Sequence, residues 1–155
     1  MPESVMEHST ENLSEQGEEK EKNFWDFLRG IPAENSINLG MWSYHFIDND
    51  DSYRTTHNLI AITYKGIFAG TFENSNDDRT WTAGIQRDIY STNLGVLSVD
   101  IGYRLGLMHG YEKMVIADSG ITPLLQVYSD LRYKMVGVQF SWAGSVVTAG
   151  CILHF

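Results

Sequence analysis

One long run constrains the fold of this chain more than any other feature. In GVLSVDIGYRLGLMHGY, Val96, Ser98, Asp100, Gly102, Arg104 and Gly106 fall on one side, and Leu97, Val99, Ile101, Tyr103, Leu105 and Leu107 on the other. Side chains along a strand alternate between faces, so the run is a strand with one continuous apolar face and one face of small and charged residues. VGVQFSW repeats the pattern, with Val136, Val138, Phe140 and Trp142 set against Gly137, Gln139 and Ser141. The final segment places Val147, Ala149, Cys151, Leu153 and Phe155 together. The same reading along the chain gives eight strands, near 37–47, 54–65, 67–75, 80–90, 95–108, 119–131, 135–143 and 145–155.

The connections are of two kinds. Tight ones fall at 65–66, 91–94 and 133–134, and longer polar ones at 48–53, 76–79 and 109–118. Short turns at one rim and longer loops at the other are the pattern of an up-and-down outer-membrane barrel, and about 9 to 11 residues per strand suffice to cross a bilayer. The expected fold is therefore all-β: an eight-stranded antiparallel up-and-down membrane β-barrel with a short N-terminal amphipathic helix. Its small and charged face, with Asp100 and Arg104, would line the lumen, and its apolar face would meet lipid. A soluble lipocalin-like barrel would invert that assignment. No apolar run approaches the ~20 residues of a membrane helix, so insertion would be by strands.

Upstream of the strands the composition changes. Residues 1–22 hold seven Glu against Lys20 and Lys22, with almost nothing to bury, which is the composition of a disordered acidic tail. NFWDFLRGIP then places Phe24, Phe27, Leu28 and Ile31 at helical spacing before Gly30 and Pro32 close the segment. A short amphipathic helix and linker is expected over 23–35, leading into a barrel over 36–155. Trp25 suits a membrane interface, although such a helix would equally plug or cap a soluble domain. The net charge is -9, and residues 23–155 hold thirteen acids against nine bases with no basic stripe. Nucleic-acid binding is excluded as a function class, because it needs clustered cations to release counterions. Cys151 is the single cysteine; it can form no internal disulfide and reads as a packing residue. No basic stretch followed by an apolar run opens the chain, so no secretory signal is expected in it.

Up-and-down threading brings His45, His57, Asn74, Ser75 and His109 to the longer-loop rim. A neutral imidazole can take a proton from a hydroxyl, and an amide can orient that imidazole or donate to an oxyanion. His45, Asn74 and Ser75 thus compose a candidate acyl-transfer site, with Ser43, His57 and His109 as further rim candidates. In TFENSNDDRTW the same Asn and Ser also read as ordinary loop chemistry. The histidines lack metal-ligand spacing, so no metal and no cofactor is expected.

Taken together, NFWDFLRGIP, GMWSYHF, GTFENS, ITPLLQVYSDLRY and the aromatic C-terminus resemble the lipid A palmitoyltransferase (PagP) family over roughly residues 23–155. The resemblance implies an N-terminal helix tilted against an eight-stranded outer-membrane barrel. That barrel would hold an acyl chain inside and move it from a phospholipid to lipid A. It also implies catalysis by a His on the first strand and an Asp-Ser pair after the third, matched here by His45 and by Asn74-Ser75. Two departures stand out. Ser43 follows Trp42 where well-characterised enterobacterial members carry the His, and His45 lies two residues on, on the same face. Asn74 stands where the family has Asp, so Asn74→Asp is expected to raise activity by restoring a carboxylate beside His45. The family opens gaps between strands with prolines; Pro123 is one, while Gln126 and Ala143 occupy places where two more are expected. The partners expected are phospholipid, lipid A and the outer membrane, with the protein a monomer. A leader removed or replaced, or a setting such as bacteriophage infection, would provide the route to the envelope. The alternative is a non-catalytic envelope barrel or a lipocalin-like carrier of an acyl chain.

Overall fold

The computed structural model describes residues 24–46, 55–74, 78–110 and 120–155, and the chain divides into Met1–Gly30 and Ile31–Phe155. In the first unit, residues 24–29 form a helix of under two turns. The Gly30 N–H donates to the Phe27 carbonyl at 3.2 Å, and the Phe24, Trp25 and Phe27 side chains are exposed. The acidic tail expected over 1–22 lies outside the described residues.

The second unit is a closed antiparallel barrel. Its eight strands are β2 (Ser36–His45), β3 (Thr56–Tyr64), β4 (Ile67–Glu73), β5 (Arg79–Leu94), β6 (Leu97–His109), β7 (Ile121–Tyr133), β8 (Val136–Ala143) and β9 (Val146–His154). Each pairs with its sequence neighbour, and β2 pairs with β9 to close the ring. β1 (Ile31–Pro32), expected as linker, instead adds a two-residue piece to β5, with Ile31 opposite Asp88 and Pro32 opposite Arg87.

Two turns differ from the expected ones. Residues 91–94, expected as a turn from their Ser, Thr and Asn content, continue β5 against β6, with Thr92 opposite Val99 and Asn93 opposite Ser98. The Ser98 hydroxyl donates to Asn93 Oδ1 across this hairpin at 2.8 Å, so the polar side chains stabilise the ladder. The reversal falls to Gly95 at φ +65°, a value glycine adopts without penalty. The expected 133–134 turn likewise moves one residue on, with Lys134 at φ 55°.

The interior is polar and the exterior apolar. Among the described residues, sixteen buried side chains are polar or charged and six are apolar. Gln86, Asp100, Arg104, Asp130 and Gln139 are buried, whereas Ile60, Leu107, Leu125 and Phe140 are exposed. The lumen is lined by hydrogen bonds that run round its wall from strand to strand. Arg104 Nε and Thr63 Oγ1 both donate to Gln86 Oε1, at 2.8 and 2.9 Å. Arg104 Nη1 donates to Gln126 Oε1 at 3.2 Å, Gln126 Nε2 to Ser141 Oγ at 2.7 Å, and Ser141 meets Thr148 at 2.6 Å. This belt links six of the eight strands. Toward the tight-turn rim, Tyr128 donates to Asp88, and Arg132 joins Glu34 and Asp100.

Gly102 lets Tyr128 reach Asp88. A Cβ there would sit 2.1 Å from the Arg87 carbonyl oxygen and 2.5 Å from the Tyr128 hydroxyl. Gly102→Ala should therefore lower the unfolding free energy by about 1–3 kcal/mol, read as a shift in the urea midpoint at unchanged slope. Glu34, outside the strands, supplies a pH-dependent contribution. Its hydrogen bond from Arg132 holds the carboxyl below the usual 4.5, against the opposing effect of burial. A lowered folded-state pKa means the contribution is complete above the unfolded value and lost as pH falls through the lowered one. Because Glu34 is largely exposed, the pair is worth at most about 1 kcal/mol. The urea midpoint should fall below about pH 4.5, and that fall should be shallower in Glu34→Gln.

Candidate functional site

A single irregularity in β2 decides which residues enter the lumen near the longer-loop rim. Ser36 and Asn38 are buried inside, and unbroken alternation would then send Ser43 and His45 outward. Instead Leu39 faces Cys151 and Trp42 faces Ala149, so Gly40 and Met41 together oppose Gly150. Gly40 has φ +68°, as the first residue of a glycine bulge requires. Beyond it Trp42 and Tyr44 are exposed, while Ser43 is buried and His45 half-buried.

The bulge brings Ser43 to His57 on β3. Ser43 Oγ lies 2.8 Å from His57 Nε2, and His57 Nδ1 lies 2.6 Å from the Glu73 carbonyl oxygen at the end of β4. A carbonyl can only accept, so Nδ1 carries the proton and Nε2 is left with a lone pair for the Ser43 hydroxyl. The Ser43 backbone N–H donates to the Thr55 carbonyl at 2.8 Å, which fixes the strand beneath the side chain.

Asn74 follows Glu73 and is fully buried. Its backbone N–H donates to the Asp78 carbonyl at 2.8 Å, its Oδ1 accepts from the Asp78 N–H at 3.0 Å, and its Nδ2 donates to the Gly110 carbonyl at 2.9 Å. One partner is a donor and the other an acceptor, so the amide orientation is fixed. The side chain ties the end of β4 to the start of β5 and the end of β6, and so holds the Glu73 carbonyl toward His57.

Ser43, His45 and His57 line a cavity of about 740 Å³ in the longer-loop half of the barrel, within the ~300–1,000 Å³ typical of small-molecule sites. Leu59, Phe68, Phe72, Met108 and Leu124 supply apolar wall. Arg104 forms its polar end, with its guanidinium 5.6 Å from the Phe68 ring and 5.4 Å from that of Tyr128. The cavity also has a side. β7 pairs with β8 only from Val127 to Tyr133, so among the described residues no strand pairs with β7 on that side between residues 121 and 126. Pro123 stands in this stretch and lines the cavity, where a missing N–H costs no ladder bond.

The sequence candidates thus separate. His45 and His57 reach the cavity, and Asn74 is a buried clamp. His109 is exposed at the end of β6, opposite Trp81 and Ile121. Asp100 and Arg104 are buried in the lumen. Ser75 lies outside the described residues. Among the described residues no three His, Cys, Asp or Glu side chains gather to hold a metal ion. Sequence reasoning placed Ser43 and His57 at the rim without pairing them; the signal was Gly40, whose bulge sets the parity of both Ser43 and His45. Neither protein-family models nor curated proteins provide a match to the chain.

The Asn74 contacts give Asn74→Asp a cost in stability. A carboxylate at this buried position would face the Gly110 carbonyl with no donor, leaving two acceptors opposed at a cost of about 1–3 kcal/mol. Asn74→Asp should lower stability, read as a lower midpoint in urea melts.

Proposed function

We propose that the chain is a membrane-embedded barrel that draws a lipid acyl chain into its lumen and transfers it from a phospholipid to lipid A in the outer membrane. The observation that carries this reading is a Ser–His pair on the wall of a partly apolar cavity, reached past an unpaired stretch of β7, in a barrel with an apolar outer surface. The exterior supports a lipid setting. Among the described residues, exposed aliphatics such as Ile60, Leu107 and Leu125 share the outer surface with Trp42, Trp81, Trp142, Tyr64, Tyr90 and Tyr133, the residue types of a lipid-facing band and its aromatic girdles. A soluble carrier would hold this surface in water, where contiguous apolar patches beyond a few hundred Å² are rare. The exposed Phe24, Trp25 and Phe27 suit an interfacial anchor. The resemblance to the PagP family supplies the donor and acceptor.

Folded protein in bilayers, given acyl-labelled phospholipid and lipid A, should yield lysophospholipid and labelled lipid A. Label that is bound but neither released nor transferred would support the carrier reading instead. The lipid-facing surface has its own test. Leu107, 57 % exposed on β6, should as Leu107→Arg destabilise the barrel by about 2–4 kcal/mol in bilayers, and no penalty there would count against a lipid environment.

A further inference from the structure

Resting on that reading, we infer that Ser43 is the nucleophile of the site and His57 its base, so that the reaction passes through an acyl ester on Ser43. The argument is geometric. Ser43 Oγ and His57 Nε2 are at 2.8 Å, within the reach a nucleophile–base pair requires. The Glu73 carbonyl oxygen at 2.6 Å from Nδ1 selects the tautomer in which Nε2 can accept. A structural serine would need neither the Gly40 bulge nor this tautomer. Both residues line the cavity, whereas the hydroxyls of Ser141 and Thr148 are engaged with one another in the belt. Bulges recur beside active sites because they re-aim one side chain, and the one in β2 re-aims Ser43.

The steps balance without a further reactant. Ser43 Oγ attacks the ester carbonyl carbon as its proton passes to His57 Nε2. The tetrahedral intermediate collapses, the ester C–O bond breaks, and the departing glycerol oxygen takes the proton from Nε2. Lysophospholipid leaves, and the acyl group stays on Ser43. An acceptor hydroxyl, from lipid A or water, then gives its proton to Nε2 and attacks the acyl carbonyl, and Ser43 Oγ recovers that proton as it leaves. The Nδ1 proton stays on Nδ1, donated to the Glu73 carbonyl, throughout. Glu73 and Asn74 are positioning residues, since they act only through the imidazole.

The test is covalent. Folded protein in detergent micelles, treated with a long-chain alkyl fluorophosphonate and digested, should carry the adduct on the Ser43 peptide by mass spectrometry. The adduct should be absent from Ser43→Ala and formed about 10²–10⁴-fold more slowly in His57→Gln, with both variants retaining the heat-modifiable gel migration of the folded barrel. Should Ser43→Ala fail to fold, Ser43→Cys keeps a nucleophile at the same place and should trap an acyl thioester from phospholipid. An adduct on any other serine with Ser43 unmodified, or unchanged acyl transfer in folded Ser43→Ala, would overturn the inference while leaving the acyltransferase reading in place. An adduct on Ser43 without transfer to lipid A would support the nucleophile and remove lipid A as acceptor.

Discussion

A guanidinium in the middle of a narrow barrel is the constraint around which the rest of this fold is arranged. Burying an isolated cation costs several kcal/mol even after relaxation, so Arg104 is tolerated only where acceptors are waiting. Gln86 and Gln126 present their carbonyl oxygens from the two neighbouring strands. Those amides are held in turn by Thr63 on one side and by Ser141 with Thr148 on the other. Each residue in this chain bonds the next, and the chain runs round the wall from β3 to β9. Because losing one member leaves its neighbours' buried polar groups unpaired, the polar residues at these positions stand or fall together. They fix the register of the strands as firmly as an apolar core fixes a soluble sandwich.

That belt also divides the lumen. On the tight-turn side the space is taken up by Tyr128 with Asp88 and by Arg132 with Glu34 and Asp100. On the other side Phe68 lies over the guanidinium at 5.6 Å, and beyond it the wall turns apolar with Phe72, Leu59 and Met108. Only the second half can take an apolar guest, and it is in this half that β7 outruns β8. The short β8 and β9 therefore do two things: they leave the side of the cavity unpaired, and they bring the 144–145 turn down to its edge. On the proposed reading, the same geometry that seals the lower lumen decides where a lipid chain enters and how far it goes.

How much of this could be read from the sequence follows from what each feature depends on. The strands of 96–107 and 136–142 were legible because a two-residue period is a local property of the chain, and so was the split between the Asp100 and Arg104 face and the Leu105 and Leu107 face. Continuation of β5 through Thr92 and Asn93 was not legible, because these residues have turn propensity and are recruited to the ladder by cross-strand contacts such as Asn93 with Ser98. The pairing of Ser43 with His57 was hidden for a different reason. The parity of β2 changes at Gly40, and a glycine in a strand announces a possible bulge without saying whether it occurs. Asn74 looked like a degraded acid because residue type alone reveals no partners; its three fixed hydrogen bonds make it a clamp.

On the proposed reading, the clamp bears on how the His57 imidazole would serve without a carboxylate behind it. In a serine–histidine–aspartate arrangement the acid does two jobs: it sets the tautomer and it stabilises the imidazolium. Replacing it by an amide that leaves the wrong tautomer costs about 10⁴ in rate. The Glu73 carbonyl does the first job, since it can only accept a hydrogen bond from Nδ1–H. For the second it offers a dipole in place of a charge, which is weaker but acts at close range. The carbonyl must then be held in place, because a dipole is worth much less when misaligned. That is what Asn74 achieves by fixing the residue next to Glu73 to both Asp78 and Gly110. Asn is suited to the position because the clamp needs one donor and one acceptor on a single side chain, a combination that a carboxylate lacks.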